Sequence, residues 1–135
     1  MKVMYVFLML LVGFSTWGQV PVVSPIGDQS DFPDTSVCTT VSLNNTGTPG
    51  YGPYLQITIP SDVAVDSVTL FGGGVAVTTV GSFPAAPGNQ LTDPVTGDSV
   101  TGNEGDVLYI IQPPIGSVVS GGPPLDFDIC FSIDA

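Results

Sequence analysis

The chain has no histidine, and its only lysine or arginine is Lys2, against twelve aspartates and glutamates in 135 residues. Mechanisms built on a Ser-His or Cys-His pair, a Schiff-base lysine, a Walker-type phosphate loop or a histidine-ligated metal therefore lack a residue they need. Nucleic acids and anionic membrane surfaces are read by cationic side chains, so both are excluded as partners. Glutamate is nearly missing too, with Glu104 alone, and the one tryptophan is Trp17. What remains is carboxylate chemistry, calcium ligation or no chemistry at all.

The N-terminus has its own logic. Lys2, the apolar run VMYVFLMLLVGF and then STWGQ form the three-part layout of a secretory signal peptide, and the run is short for a membrane span. Small side chains at Thr16 and Gly18 place cleavage after Gly18, the alternative being an uncleaved anchor. Residues 1–18 are read as the signal and the product as secreted or extracellular. Cleavage leaves 135 − 18 = 117 residues, one domain's worth, and takes the only base, so the formal charge moves from −11 to −12.

Residues 19–34, with three prolines and three aspartates, read as an extended lead-in. Beyond it no apolar pattern has the helical period. Short runs rich in Val, Thr and Ile stand between Gly and Pro clusters, which predicts strands at 36–43, 54–59, 65–71, 75–80, 98–101, 106–111 and 125–133. Spacings near ten residues predict an all-β fold over 35–135, an antiparallel immunoglobulin-like β-sandwich of about seven or eight strands.

The run LDFDICFSI alternates cleanly. Leu125, Phe127, Ile129, Phe131 and Ile133 share one phase, while Asp126, Asp128, Cys130 and Ser132 share the other. In SVCTTVSL, Val37, Val41 and Leu43 are apolar and Cys38 falls with Thr40 and Ser42. Both cysteines then face outward in an exported chain, where oxidation is the default. A cross-strand disulfide is expected, with free thiols or an external partner as the alternatives. Closing so long a loop constrains the unfolded chain by about 4–5 kcal/mol in the loop-entropy model.

In NNTGTPGYGPYLQITIP, Gly47, Pro49, Gly50, Gly52 and Pro53 suit a wide corner leading into a strand whose inward residues are Leu55, Ile57 and Ile59. Tyr51 and Tyr54 are expected to cap the core edge there. The competing reading makes them ligand contacts, since rings with polar tips serve both ends.

Carboxylate chemistry finds little footing. Asp34-Thr35-Ser36 matches only part of an aspartic-protease turn and has no second copy, and Asp98-Ser99-Val100 is no better. A glycosidase needs two opposed carboxyl groups, and Glu104 sits in a turn facing solvent. Gly72-Gly73-Gly74 lacks the lysine and helix of a phosphate loop and reads as a hairpin turn. Calcium is the sharper possibility, since carboxylates cluster at turns: Asp28, Asp31 and Asp34, Asp93 with Asp98, Asn103 to Asp106, and Asp126 with Asp128. Asp126, Asp128, Asp93 and Asp98 are the candidate ligands. The plainer reading is that Asp is a good turn and surface residue.

Through Asn45 to Gly47, Gly50 to Pro60 and Gly105 to Ser117, the chain resembles amino-terminal or repeat domains of large bacterial surface and secreted proteins built from tandem Ig-like modules. The resemblance implies a non-enzymatic extracellular module, often Gram-negative and often followed by further domains, and brings no catalytic residues. A finish at Ile133-Asp134-Ala135 then suggests a fragment of a longer protein, or a module completing its sheet with a partner strand. The leading expectation is a structural or adhesive surface module, whose partners are neighbouring domains of the same chain or an extracellular protein or glycan. The others are a calcium-dependent glycan-binding module accessory to a hydrolase, and a carboxylate hydrolase.

Overall fold

The computed structural model describes residues 21–23, 36–118 and 121–133. The expected signal peptide, most of the lead-in with Asp28, Asp31 and Asp34, and Asp134 lie outside the described residues. All regular structure described is strand: β1 (Pro21–Val23), β2 (Ser36–Asn45), β3 (Gly50–Tyr51), β4 (Leu55–Ile59), β5 (Val63–Leu70), β6 (Gly73–Gly74), β7 (Ala76–Ser82), β8 (Gln90–Thr92), β9 (Ser99–Thr101), β10 (Val107–Gln112), β11 (Ser117–Val118) and β12 (Leu125–Ile133). The seven runs expected from alternation correspond to β2, β4, β5, β7, β9, β10 and β12. The further segments are two or three residues long, too short to show a period.

Every pairing is antiparallel. One sheet has the order β1-β2-β12-β5-β6 and the other β4-β10-β7, with β3 paired to β11 and β8 to β9 in small ribbons. The lead-in is thus partly built into the fold, since Pro21–Val23 adds an edge strand to β2. Proline is tolerated at such an edge because its missing N–H costs no ladder bond on the open side.

The core lies between the sheets. Val41, Leu43, Val68, Leu70, Phe127, Ile129 and Phe131 come from the larger sheet, and Leu55, Ile59, Tyr109 and Ile111 from the smaller. Alternation in β12 makes this possible, because one phase meets the core and the other meets water. Each fully buried side chain of this size contributes about 1.5–3 kcal/mol.

Strand β10 follows a different rule. Its other phase, Leu108 and Ile110, is as buried as Tyr109 and Ile111. The segment 83–106, carrying the β8–β9 hairpin, folds back over the outer face of β4-β10-β7. Leu91 reaches toward Gly81, the register partner of Leu108. Phe83 anchors the segment: its N–H donates to the Asp106 carbonyl at 2.8 Å and its carbonyl accepts from Gly105 at 3.0 Å. Its ring lies so close to Gly102 that a Cβ there would meet it at 2.4 Å, so glycine is what lets ring and backbone touch.

Antiparallel connection gathers three loops at one end. Residues 46–54 join β2 to β4, residues 71–75 join β5 to β7, and the connection from β10 to β12 is described at 113–118 and 121–124. The register pairs Leu43 with Leu125, Leu70 with Phe127, Leu55 with Ile111 and Ala76 with Gln112 place all three together.

Candidate functional site

Three places hold the residues singled out by the sequence. The first is the tip of the β8–β9 hairpin. The Asp93 carboxylate, 1% exposed, accepts from four donors. Val95 N–H at 2.7 Å and Thr96 N–H at 3.3 Å reach Oδ1, while the Tyr54 hydroxyl and the Gln56 amide reach Oδ2, each at 3.0 Å. The first two bonds close the turn in the way aspartate commonly does. The other two fasten the hairpin to Tyr54, just before β4, and to Gln56 within it, which share the outward phase.

Burial pushes the Asp93 carboxyl up, but the bonds from Val95, Tyr54, Thr96 and Gln56 outweigh it and hold it below the ordinary aspartate range. Burial also pushes the Tyr54 phenol up, helped by its bond to Asp93 and that carboxylate's charge. A neutral donor facing an ionised acceptor is therefore the stable arrangement at neutral pH. Asp98 closes the same hairpin through its backbone, its carbonyl accepting from Asp93 N–H at 2.9 Å, and its side chain is exposed.

The second place is the outer face of the larger sheet. Cys38 and Cys130 are register partners on β2 and β12 and are joined by a disulfide, with Cα atoms 4.0 Å apart. Along the same two strands Thr40 donates to Asp128 at 2.7 Å and Ser42 to Asp126 at 2.5 Å, again between register partners. Asp66 on β5 accepts from Ser132 at 2.8 Å. Each carboxylate on this face thus has a hydroxyl partner from a neighbouring strand, a cross-strand pairing that ties strands together without any cation.

These positions separate the candidate calcium ligands. Asp126 and Asp128 stand on the open sheet face, whereas Asp93 and Asp98 flank a hairpin tip over the other sheet. Among the described residues, no three His, Cys, Asp or Glu side chains are grouped so as to hold a metal ion.

The third place is the loop end. Tyr51 does not cap the core: it lies in β3, paired with Ser117 of β11, and its ring is 80% exposed. At this end Ile115, from the connection between β10 and β12, packs against the core instead. Tyr54 is half-buried with its hydroxyl on Asp93. The site residue that sequence reasoning missed is Phe71, 79% exposed at the tip of the two-residue turn between Leu70 and Gly73. Phe71 and Gly72 have φ of 53° and 76°. Such a turn favours Asn, Asp or Gly, and a bulky residue in the left-handed region costs about 1–2 kcal/mol. The available signal was the run Phe-Gly-Gly-Gly, in which a two-residue turn puts the phenylalanine itself at positive φ.

With this geometry in view, the comparisons add no relative: no family model, no curated protein and no solved structure matches the chain.

Proposed function

We propose that the protein is a non-enzymatic structural and adhesive module of a secreted or cell-surface protein, an immunoglobulin-like sandwich in the broad sense. The likeness lies in two antiparallel layers with loops gathered at an end. The strand order differs from the four-plus-three order of antibody domains, since β12 lies between the first and third long strands.

The observation that carries the reading is where the disulfide sits. Strand β2 begins at Ser36 and β12 ends at Ile133, side by side and antiparallel, while β1 pairs at the other end of β2, so a pull from the N-terminal side lifts β1 away before it reaches Ser36. Tension between those two segments peels β12 from β2 one pair at a time, which is the weak direction for a ladder. Only Ser36 with Ser132 and Val37 with Phe131 open before the pull reaches Cys38 and Cys130. Covalent bonding there keeps the force off everything between. A sandwich closed in this way suits a spacer held between neighbouring domains or between a surface and a partner.

Single-molecule pulling across the domain tests the reading. Beyond detachment of β1, the oxidised protein is expected to show no unfolding step, whereas Cys38→Ser should open at low force and release 92 residues of sequence separation, about 320 Å when extended. If the serine variant resists tension as well as the oxidised protein, the bridge is not in the path of the force and the proposal loses its support.

A further inference from the structure

We infer that the loop end is a binding site for an uncharged polysaccharide, with Tyr51 and Phe71 as stacking platforms. The inference rests on the adhesive part of the reading above and names what that end would hold.

Phe71 is the first reason. A phenylalanine at φ 53°, exposed and followed by three glycines, occupies a turn position where glycine itself would be unstrained. Among the described residues the ring is solvent-facing and has no place in the core. Strain kept at an exposed aromatic points to a partner outside the chain. Tyr51, equally exposed, stands on a second loop at the same end. It is held by the pairing of β3 with β11 and by Gly52 N–H donating to the Gly116 carbonyl at 3.0 Å. Two rings on fixed turns thus face outward from one end of the sandwich.

Charge is the second reason. Residues 46–54, 71–75 and 113–124 contain no Asp, Glu, Lys or Arg in a chain whose formal charge is −11. The acids that come nearest stand on the flanks and are engaged or turned aside: Asp126 accepts from Ser42, Asp93 from Tyr54 and Gln56, and Asp98 is at the hairpin tip. An anionic polymer is repelled by the flanks, and a cationic one is drawn to them rather than to the end.

A protein partner would need a contiguous apolar centre of several hundred Å². Here the chain neighbours of each ring, Gly50 and Gly52 beside Tyr51 and Gly72 and Gly73 after Phe71, add no apolar side chain to it. A pyranose ring asks for less, because its C–H-rich face meets the negative face of a single aromatic ring.

Affinity electrophoresis of the purified protein decides the matter, using native gels cast with mixed-linkage β-glucan, galactomannan or arabinoxylan, and with alginate as the anionic counterpart. We expect retardation in at least one neutral gel, unchanged by chelator, and none in alginate. Tyr51→Ser and Phe71→Gly should each weaken it tenfold or more. Phe71→Gly should melt no lower than the parent, because glycine suits that φ, so its loss of binding would not be loss of fold. Free migration in all three neutral gels, equal retardation of the variants, or retention by alginate alone overturns the proposal. So does self-association on a sizing column that Phe71→Gly abolishes, which assigns the end to a second copy. None of these results touches the pulling experiment, so the spacer reading stands or falls separately.

Discussion

The two sheets turn very different outer faces to their surroundings. The face of β2-β12-β5 is open and lined by Thr40, Ser42, Asp66, Asp126, Asp128 and the disulfide, held by hydroxyl-to-carboxylate bonds and one covalent bridge. The face of β4-β10-β7 is covered by the segment 83–106 and hides Leu108 and Ile110 as thoroughly as the central core hides Ile129. One face is thus held by cross-links between strands and the other by burial beneath a latched hairpin. The lesson is that a strand's outward phase has no fixed role. Asp128 and Ile110 both point away from the shared core, and their surroundings give them opposite roles.

The largest effect should come from breaking the covered face. Ile110→Ala is expected to lose about 2–5 kcal/mol in denaturant titration, as a core truncation does. Were the segment 83–106 only loosely attached, the loss would fall to that of a surface change, under about 0.5 kcal/mol.

Unlatching the hairpin comes next. Asp93→Ala removes the acceptor of four hydrogen bonds and should cost about 1–3 kcal/mol, with faster amide exchange confined to residues 83–106. Asp93→Asn should cost less, since its carbonyl oxygen still accepts from Val95 and Thr96. The pH dependence sharpens the test. Because the folded carboxyl sits below its ordinary value near 3.8, its contribution is present above that value and is lost as the pH falls through the lower folded one. The difference in stability between the parent and Asp93→Ala should therefore shrink in acid below pH 3.8 and hold steady at neutrality. A gap independent of pH would show that the latch does not depend on the carboxylate's charge.

The smallest effect belongs to the open face. Asp126→Asn and Asp128→Asn should each shift stability by no more than about 0.5 kcal/mol, because the hydroxyl bond is kept in weaker, uncharged form and like-charge repulsion is relieved. Thermal melts with calcium, magnesium and chelator at fixed ionic strength extend the test. Coincident melts in the two cations are expected, since fixed ionic strength fixes the screening. A calcium-specific rise that Asp126→Asn abolishes would instead make that face a metal site.

How much could be read in advance follows the same division. The open face was legible because alternation in LDFDICFSI and SVCTTVSL states both phases outright and puts Cys38 and Cys130 on the polar one. The covered face was not, because the run VLYII is equally compatible with a strand buried on one side or both. Asp93 looked like a turn residue or a calcium ligand, since nothing local reveals that Tyr54 and Gln56, 39 and 37 residues earlier, supply its donors. Phe71 is hidden for another reason: by pattern it ends the run 65–71, and only the register of Leu70 with Gly73 makes it a turn tip at positive φ.

From its side chains and their alternation the chain is committed to an all-β, anionic domain without histidine chemistry, because those properties depend on which side chains exist and how they alternate. The lid over β10, the partners of Asp93 and the exposure of Tyr51 and Phe71 at one uncharged end were decided only by tertiary structure. Each depends on segments distant in sequence arriving side by side, and period and propensity act within a strand, not between strands.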